Sequence, residues 1–234
     1  MNMLRIARLK EAAVDLLFPQ WCLGCGREGA YICPSCRQRL PRLTESLCPT
    51  CGQSQPGGQL CTACARRKQR IDGIRAPFRF GGLMRQAIHH LKYRNLRALA
   101  RPLAGLLHDY ISANPVPGEV LVPVPIHPRR LRQRGYNQCQ LLAAELSKIS
   151  GLPLNADSLI KRRPTETQAE TDSLADRWAN VAGAYGCPDT TLNGRKVLLI
   201  DDVATSGATL NACAEALKTA GAGSVWALVL AREV

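Results

Sequence analysis

The stretch Val197-Leu198-Leu199-Ile200-Asp201-Asp202-Val203-Ala204-Thr205-Ser206-Gly207-Ala208-Thr209 decides how the chain is read. Four consecutive apolar residues bounded by polar ones predict a short strand buried on both faces of a parallel sheet. Two carboxylates end it, and Leu210, Ala214, Leu217 and Lys218 follow at helical spacing. In open α/β sheets ligands sit beyond the carboxyl ends of the strands, which is where Asp201 and Asp202 emerge. Adjacent acids can accept hydrogen bonds from two vicinal hydroxyls, or hold a hard cation such as Mg²⁺. Ala204, Thr205, Ser206, Gly207, Ala208 and Thr209 form a small-residue turn that offers hydroxyls and backbone N–H groups at a helix N-terminus, a cradle for phosphate. Capping the helix alone would need one acid, not two. The combination suits a ribose carrying a 5′-phosphate.

This stretch resembles the signature of the type I phosphoribosyltransferases, which bind 5-phosphoribosyl 1-pyrophosphate (PRPP) with Mg²⁺. The resemblance assigns the ribose hydroxyls to Asp201 and Asp202 and the 5′-phosphate to residues 204–209. Upstream, Val120-Leu121-Val122-Pro123-Val124-Pro125 predicts another buried strand, ending in a Pro-punctuated loop over 126–138. Arg129, Arg130, Arg132 and Arg134 crowd that loop and call for an anionic partner. In the phosphoribosyltransferases the loop after the first core strand holds pyrophosphate, and Val-Pro-Val-Pro looks like the corresponding loop of the glutamine amidotransferase that starts purine synthesis. Pyrophosphate is therefore expected at Val124, Pro125, Ile126 and His127, with Arg134 as its charge partner.

The chain has 234 residues, enough for one large domain with a small appendage. Its net charge of +13 is uneven. Basic residues outnumber acidic ones 11 to 5 in 1–74 and 11 to 2 in 75–140, but not in 141–234, where they stand 9 to 11. A basic first half points to a polyanionic partner or a phosphate-rich substrate. Residues 1–19 have the spacing of an amphipathic helix with both signs of charge on its polar face. No apolar run of signal-peptide or membrane-spanning length occurs, so a cytoplasmic protein is expected.

Eight of the eleven cysteines fall in four Cys-x-x-Cys pairs: Cys22/Cys25, Cys33/Cys36, Cys48/Cys51 and Cys61/Cys64. Each pair points two thiolates at one tetrahedral centre, so two structural Zn²⁺ ions are expected, with all four ligands of each site supplied by protein. Pairing in sequence order and interleaved pairing both satisfy the spacing. A reducing compartment argues against disulfides. Gly26 and Gly52 follow the second cysteine of their pairs, where a left-handed residue lets backbone N–H groups turn toward sulfur. So short a segment with few large apolar side chains needs the metal to fold. Cys139, Cys187 and Cys213 read as packed small hydrophobes.

Between these regions, Arg66-Arg67-Lys68-Gln69-Arg70 is a basic boundary run. Ala76 to Phe80 reads as an edge strand, and a helix from Leu83 is predicted to continue into Leu96–Leu107. Downstream, Cys139–Ile149 reads as a helix and Leu159–Pro164 as the end of another strand. Thr165 to Asn180, with Gln168 and Arg177, has the polar composition of a lid, although its acids make it an unusual clamp for pyrophosphate. Ser224 to Arg232 reads as a last buried strand. The domains expected are an N-terminal helix (1–19), a double zinc ribbon (20–70) and an α/β domain (71–234) with a phosphoribosyltransferase-like parallel sheet flanked by helices.

The order of motifs, from four Cys-x-x-Cys pairs through Leu91-Lys92-Tyr93-Arg94, Val-Pro-Val-Pro, Arg134-Gly135-Tyr136-Asn137-Gln138, Thr167-Gln168 and Asn180-Val181 to the PRPP signature, resembles the ComF/GntX family over nearly the whole chain. That resemblance implies a PRPP-binding protein that handles single-stranded DNA during natural transformation, beside a helicase-like competence partner. The other function consistent with the residues is a phosphoribosyltransferase of nucleotide or base salvage, using Mg²⁺-PRPP.

Overall fold

A computed structural model describes residues 19–44, 46–67, 69–165 and 174–233. The helix expected over 1–19 falls almost wholly outside the described residues, as does 166–173 of the expected lid. The chain divides into two compact units, Met1–Leu40 and Pro41–Val234. The first holds the bridge Trp21↔Glu28 and the helix α1 (Pro34–Gln38). In the second, the bridge Leu47↔Ser54 and α2 (Thr62–Arg66) form a second small module. This module is seated directly on the edge of the main sheet.

That sheet is parallel throughout, in the order β1 (Gly73–Arg75), β7 (Ser224–Arg232), β6 (Lys196–Ala204), β3 (Val120–Pro123), with β2 (Phe78–Arg79) also on β7. Strand β6 is central, and Val197 to Ile200 are each at most 1% exposed, as an apolar run covered on both faces must be. Period-2 alternation sends Val197 and Leu199 into the cluster shared with Leu210, Ala214 and Leu217 of α8 (Ala208–Thr219), leaving Leu198 and Ile200 for the other face. On such sites a Leu→Ala change costs about 2–5 kcal/mol. Helices α4 (Ala100–Ala113) and α6 (Gln138–Ser150) pack against one another, and α6 also packs on β3 and β6. A small antiparallel pair, β4 (Ile160–Lys161) with β5 (Tyr185–Gly186), flanks α7 (Leu174–Val181) in sequence. No helix among the described residues is long and apolar enough to cross a membrane.

Three expectations are corrected. The segment read as a loop over 126–138 contains a helix, α5 (Pro128–Arg134). Its punctuation is helical punctuation: Pro128 stands at the first helical position, His127 Nδ1 accepts the Arg129 N–H at 3.2 Å, and Gly135 closes the far end at φ 79°. The helix expected to run on from Leu83 stops as α3 (Gly82–Tyr93), because Asn95 takes a left-handed φ of 54° before α4 begins. Of the edge strand expected over 76–80 only β2 forms, at Phe78–Arg79; β1 precedes it, and the two are separated at Ala76-Pro77, where proline has no N–H for the ladder.

The second cysteine module is held to β1 by hydrogen bonds to its backbone carbonyls. The Ile74 N–H donates to Thr50 O at 2.7 Å, and Arg75 Nη1 donates to Pro49 O at 2.8 Å. Gly52, at φ 68°, packs so closely that a Cβ there would lie 2.5 Å from Ile74 O.

Candidate phosphosugar site and zinc centres

Strand β6 delivers Asp201 and Asp202 to the carboxyl end of the sheet, 9% and 2% exposed. From α3, Lys92 reaches across to place Nζ 2.7 Å from Asp202 Oδ1. Asp202 Oδ2 is buried and has no hydrogen-bond partner among the described residues. Asp201 Oδ1 accepts from Cys139 Sγ at 3.1 Å and from the Asp202 N–H at 2.9 Å. Burial, and then the neighbouring Asp202 charge, push the Asp201 carboxyl up to about 7. Burial opposes the charge on Lys92, but Asp202 outweighs it and holds the ammonium above its ordinary value.

The acids open into a cavity of about 390 Å³. Val124, Pro125 and Ile126 line one side, Thr205, Gly207 and Thr209 another, and Ala204 sits at the start of the turn. Lys92, Arg130 and Lys161 bring positive charge, and Asn180 and Tyr185 complete the wall nearest α7 and β5. Burial, followed by the charge of Arg130, lowers Lys161 to about 8. The loop geometry is set by Asn137, whose side chain caps α6 at the Cys139 N–H and donates to Val124 O, each at 3.0 Å. Gly207 takes φ 77° at the N-cap of α8, a left-handed turn suited to glycine.

Four of the expected residues lie elsewhere. His127 spends its ring nitrogen on capping α5, Ala208 is fully buried, and Ser206 lines a separate cavity beside Ile74. Arg134 binds the Gln138 side chain, lies over the Tyr93 ring at 5.3 Å, and lines an adjoining cavity of about 600 Å³ with Tyr93 and Tyr136. Arg130, one turn earlier, lines both cavities. Lys92, Lys161, Arg130 and Cys139 were missed as site residues. The Leu91-Lys92-Tyr93-Arg94 motif held a signal for Lys92, and the arginine cluster over 129–134 one for Arg130, while Lys161 and Cys139 had none.

The cysteines gather in sequence order, correcting nothing but deciding the pairing: Cys22, Cys25, Cys33 and Cys36 in one group, and Cys48, Cys51, Cys61 and Cys64 in the other, with all sulfurs of a group within 4.8 Å of one another. Tetrahedral Zn–S bonds of about 2.3 Å put sulfurs about 3.8 Å apart. The Cys25–Cys33 and Cys51–Cys61 separations are both 3.6 Å. Gly26 and Gly52 take φ 70° and 68°, and backbone N–H groups of Cys33 and Cys61 point at Cys22 and Cys48 sulfur at 3.4 and 3.5 Å. Backbone donors of this kind hold the Cys48 thiol down at about 6, against the opposing effect of its burial. Four soft ligands and no open position fit structural zinc.

The sequence matches the double zinc ribbon domain over residues 13–65 and the phosphoribosyl transferase domain over 134–233. It is 30% identical over 212 residues to competence protein ComFC of Bacillus subtilis, covering 86% of this chain and 84% of that one. The chain belongs to the ComF family. Its likeness to other ComF relatives is of the same order: 29% over 212 residues to competence protein F of Haemophilus influenzae and 28% over 207 residues to the DNA utilization protein YhgH of Escherichia coli, each covering 86% of this chain and 90% of the relative. In this ComF chain the basic run after the ribbons is partly engaged within the fold. Arg67 lies over the Trp178 ring at 4.9 Å, and Arg70 pairs with Glu215 at 3.7 Å, while Arg66 is exposed.

Proposed function

We propose that this ComF chain binds Mg²⁺-PRPP at the carboxyl end of β6 and acts on single-stranded DNA in the cytoplasm during DNA uptake, beside a helicase-like partner. The observation that carries the ligand reading is Asp202 Oδ2, a buried carboxylate oxygen left without a donor, at the rim of a cavity whose opposite wall is a glycine turn at a helix N-terminus. A ribose diol supplies the missing donor, and Mg²⁺ is the other group that this oxygen set suits. In this reading Asp201 and Asp202 orient the ribose, and the N–H groups and hydroxyls of Thr205, Gly207 and Thr209 take the 5′-phosphate. Val124, Pro125 and Ile126 stand beside the pyrophosphate, with Lys92, Arg130 and Lys161 offsetting its charge. His127, which caps α5, and Arg134, its last residue, do not line that wall. Mg²⁺ would supply charge neutralisation on the pyrophosphate oxygens when bound.

DNA handling rests on the names of the relatives and on the basic first half of the chain. Calorimetry with Mg²⁺-PRPP tests the site: the parent chain binds, and Asp202→Asn loses most of the affinity while keeping its unfolding temperature. Equal binding by the two removes the acid pair from the site.

A second reading, transfer of the phosphoribosyl group to an acceptor, is favoured by the 600 Å³ cavity that shares Lys92, Tyr93 and Arg130 with the first. There Tyr93, 65% exposed, offers a stacking face for an acceptor base. Release of pyrophosphate from PRPP, screened across bases, nucleosides and single-stranded DNA, decides between binding and transfer.

A further inference from the structure

Arg232 closes β7 and is 2% exposed, with Nε and Nη1 buried and without a hydrogen-bond partner among the described residues. It makes no ion pair with a carboxylate among those residues. A guanidinium taken out of water needs an opposite charge nearby. Arg232 shares a cavity wall with Cys51 and Cys64, and the sulfurs of Cys51, Cys64, Cys61 and Cys48, the four ligands of the second zinc ribbon, bear on its charge. Four thiolates around one Zn²⁺ leave a net charge of −2.

The same residue is bonded into the site. Arg232 is the register partner of Ala204, the first residue of the phosphate turn, and the next N–H along, that of Glu233, donates to Ala204 O at 3.0 Å. Ile74 gives a parallel link: its N–H is held by Thr50 of the ribbon, and its side chain lies against Gly207, where an added Cβ would be 3.2 Å away. Arg232, Cys51, Cys64, Thr205 and Gly207 share one cavity of about 260 Å³.

We infer that Arg232 is the buried counter-ion of the second zinc centre and, through that pairing, a positioning residue that ties occupancy of the ribbon to the shape of the phosphate turn. The coupling half rests on the reading of 204–209 as a phosphate cradle. A ligand-anion role for the cavity fails on charge. Arg67, Arg177 and Arg232 bring three positive charges to its wall, while Glu233 and the zinc tetrathiolate bring three negative ones, so no surplus is left to attract a phosphate.

The test uses the full zinc-loaded chain. Zinc affinity is measured by competition with a chromogenic chelator, and Mg²⁺-PRPP affinity by calorimetry, for the parent, Arg232→Met and Arg232→Lys. In Arg232→Met one of the two zinc equivalents is expected to bind about 10–100-fold more weakly, as for other groups that support metal ligands, while the other equivalent is unchanged. Its PRPP affinity is expected to fall by about 5- to 150-fold, the usual range of coupling between sites. Arg232→Lys, which restores the charge, recovers most of both. If Arg232→Met does not fold, Arg232→Gln, polar but uncharged, takes its place. Unchanged zinc affinity in the uncharged variant, or a Lys variant no better than it, overturns the counter-ion role. Weakened zinc with unchanged PRPP affinity overturns the coupling. A parent chain that binds no PRPP overturns the site reading and the coupling with it, while the zinc measurement still decides the counter-ion role.

Discussion

Replacing Lys92 with Met keeps the apolar stem and removes the ammonium that lies 2.7 Å from Asp202 Oδ1. Asp202 is 3% exposed at its side chain and Lys92 22%, so what remains is a carboxylate pair with its nearest cation gone. Removing one partner of a buried pair costs about 3–5 kcal/mol. The partial exposure of Lys92 puts the loss near the lower end, about 3 kcal/mol, or a fall of about 6–12 °C in unfolding temperature for a domain of this size. The loss must also depend on pH. Lys92 is one of the groups that hold the Asp201 carboxyl down, against burial and Asp202, so without it Asp201 rises further above its unfolded value. An acid with a raised folded pKa favours folding when protonated, and that contribution is lost as pH climbs from the unfolded value of about 4 to the folded one, about 7 in the parent and higher in the variant. The gap between parent and Lys92→Met should therefore be smaller at pH 6 than at pH 8.5, and millimolar Mg²⁺ should narrow it at pH 8.5. Thermal unfolding of both proteins at the two pH values measures it. An equal gap at both, or none, refutes the claim that Lys92 balances the acid pair.

Affinity for Mg²⁺-PRPP should fall below pH 7, by up to about tenfold per unit, because a ligand that needs ionised Asp201 must displace a proton there; calorimetry across pH 5.5–8 reads the slope. Gly26→Ala, at φ 70° with open space around it, should cost about 1–2 kcal/mol for the left-handed backbone. Gly52→Ala meets Ile74 O at 2.5 Å and should cost about 1–3 kcal/mol more, and chemical denaturation of the two variants compares them. The purified chain should carry two zinc ions by elemental analysis, and a metal-free sample that keeps the ribbons folded would remove the metal from their structure. Neutralising Arg66, Arg67 and Arg70 should flatten the salt dependence of single-stranded DNA binding by about 0.7 in log–log slope for each phosphate no longer neutralised, as read from titrations at several salt concentrations.

Local chemistry was legible wherever it is carried by neighbours in sequence. The strand at Val197–Ile200, the acids after it and the glycine turn all follow from a dozen consecutive residues, since burial on two faces and a phosphate-sized turn are properties of a short stretch. The zinc ligands were legible for the same reason, because a Cys-x-x-Cys knuckle is complete in four residues. The helix at Pro128–Arg134 was misread because proline and glycine mark helix ends as well as loops, and only the cap at His127 separates the two.

Residues brought from a distance were not legible. Lys92 reaches Asp202 across 110 positions, and Cys139 meets Asp201 across 62, so the helices that carry them had to be docked before either became part of the site. A lone cysteine in an apolar helix reads as packing, and it is packing until a carboxylate lies 3.1 Å away. The Cys-x-x-Cys spacing allowed two pairings, and the choice depended on which knuckles the chain folds together. By itself, then, the sequence determined the sheet's central strand, the acid pair, the glycine turn after it and the eight cysteines of the zinc ribbons, each set by short-range chemistry. Tertiary structure alone decided what balances the acids, which arginine faces the cavity, and that the second zinc ribbon is built against β1, at the sheet edge. Charge compensation and burial are settled between segments far apart in the chain, and no local pattern encodes them.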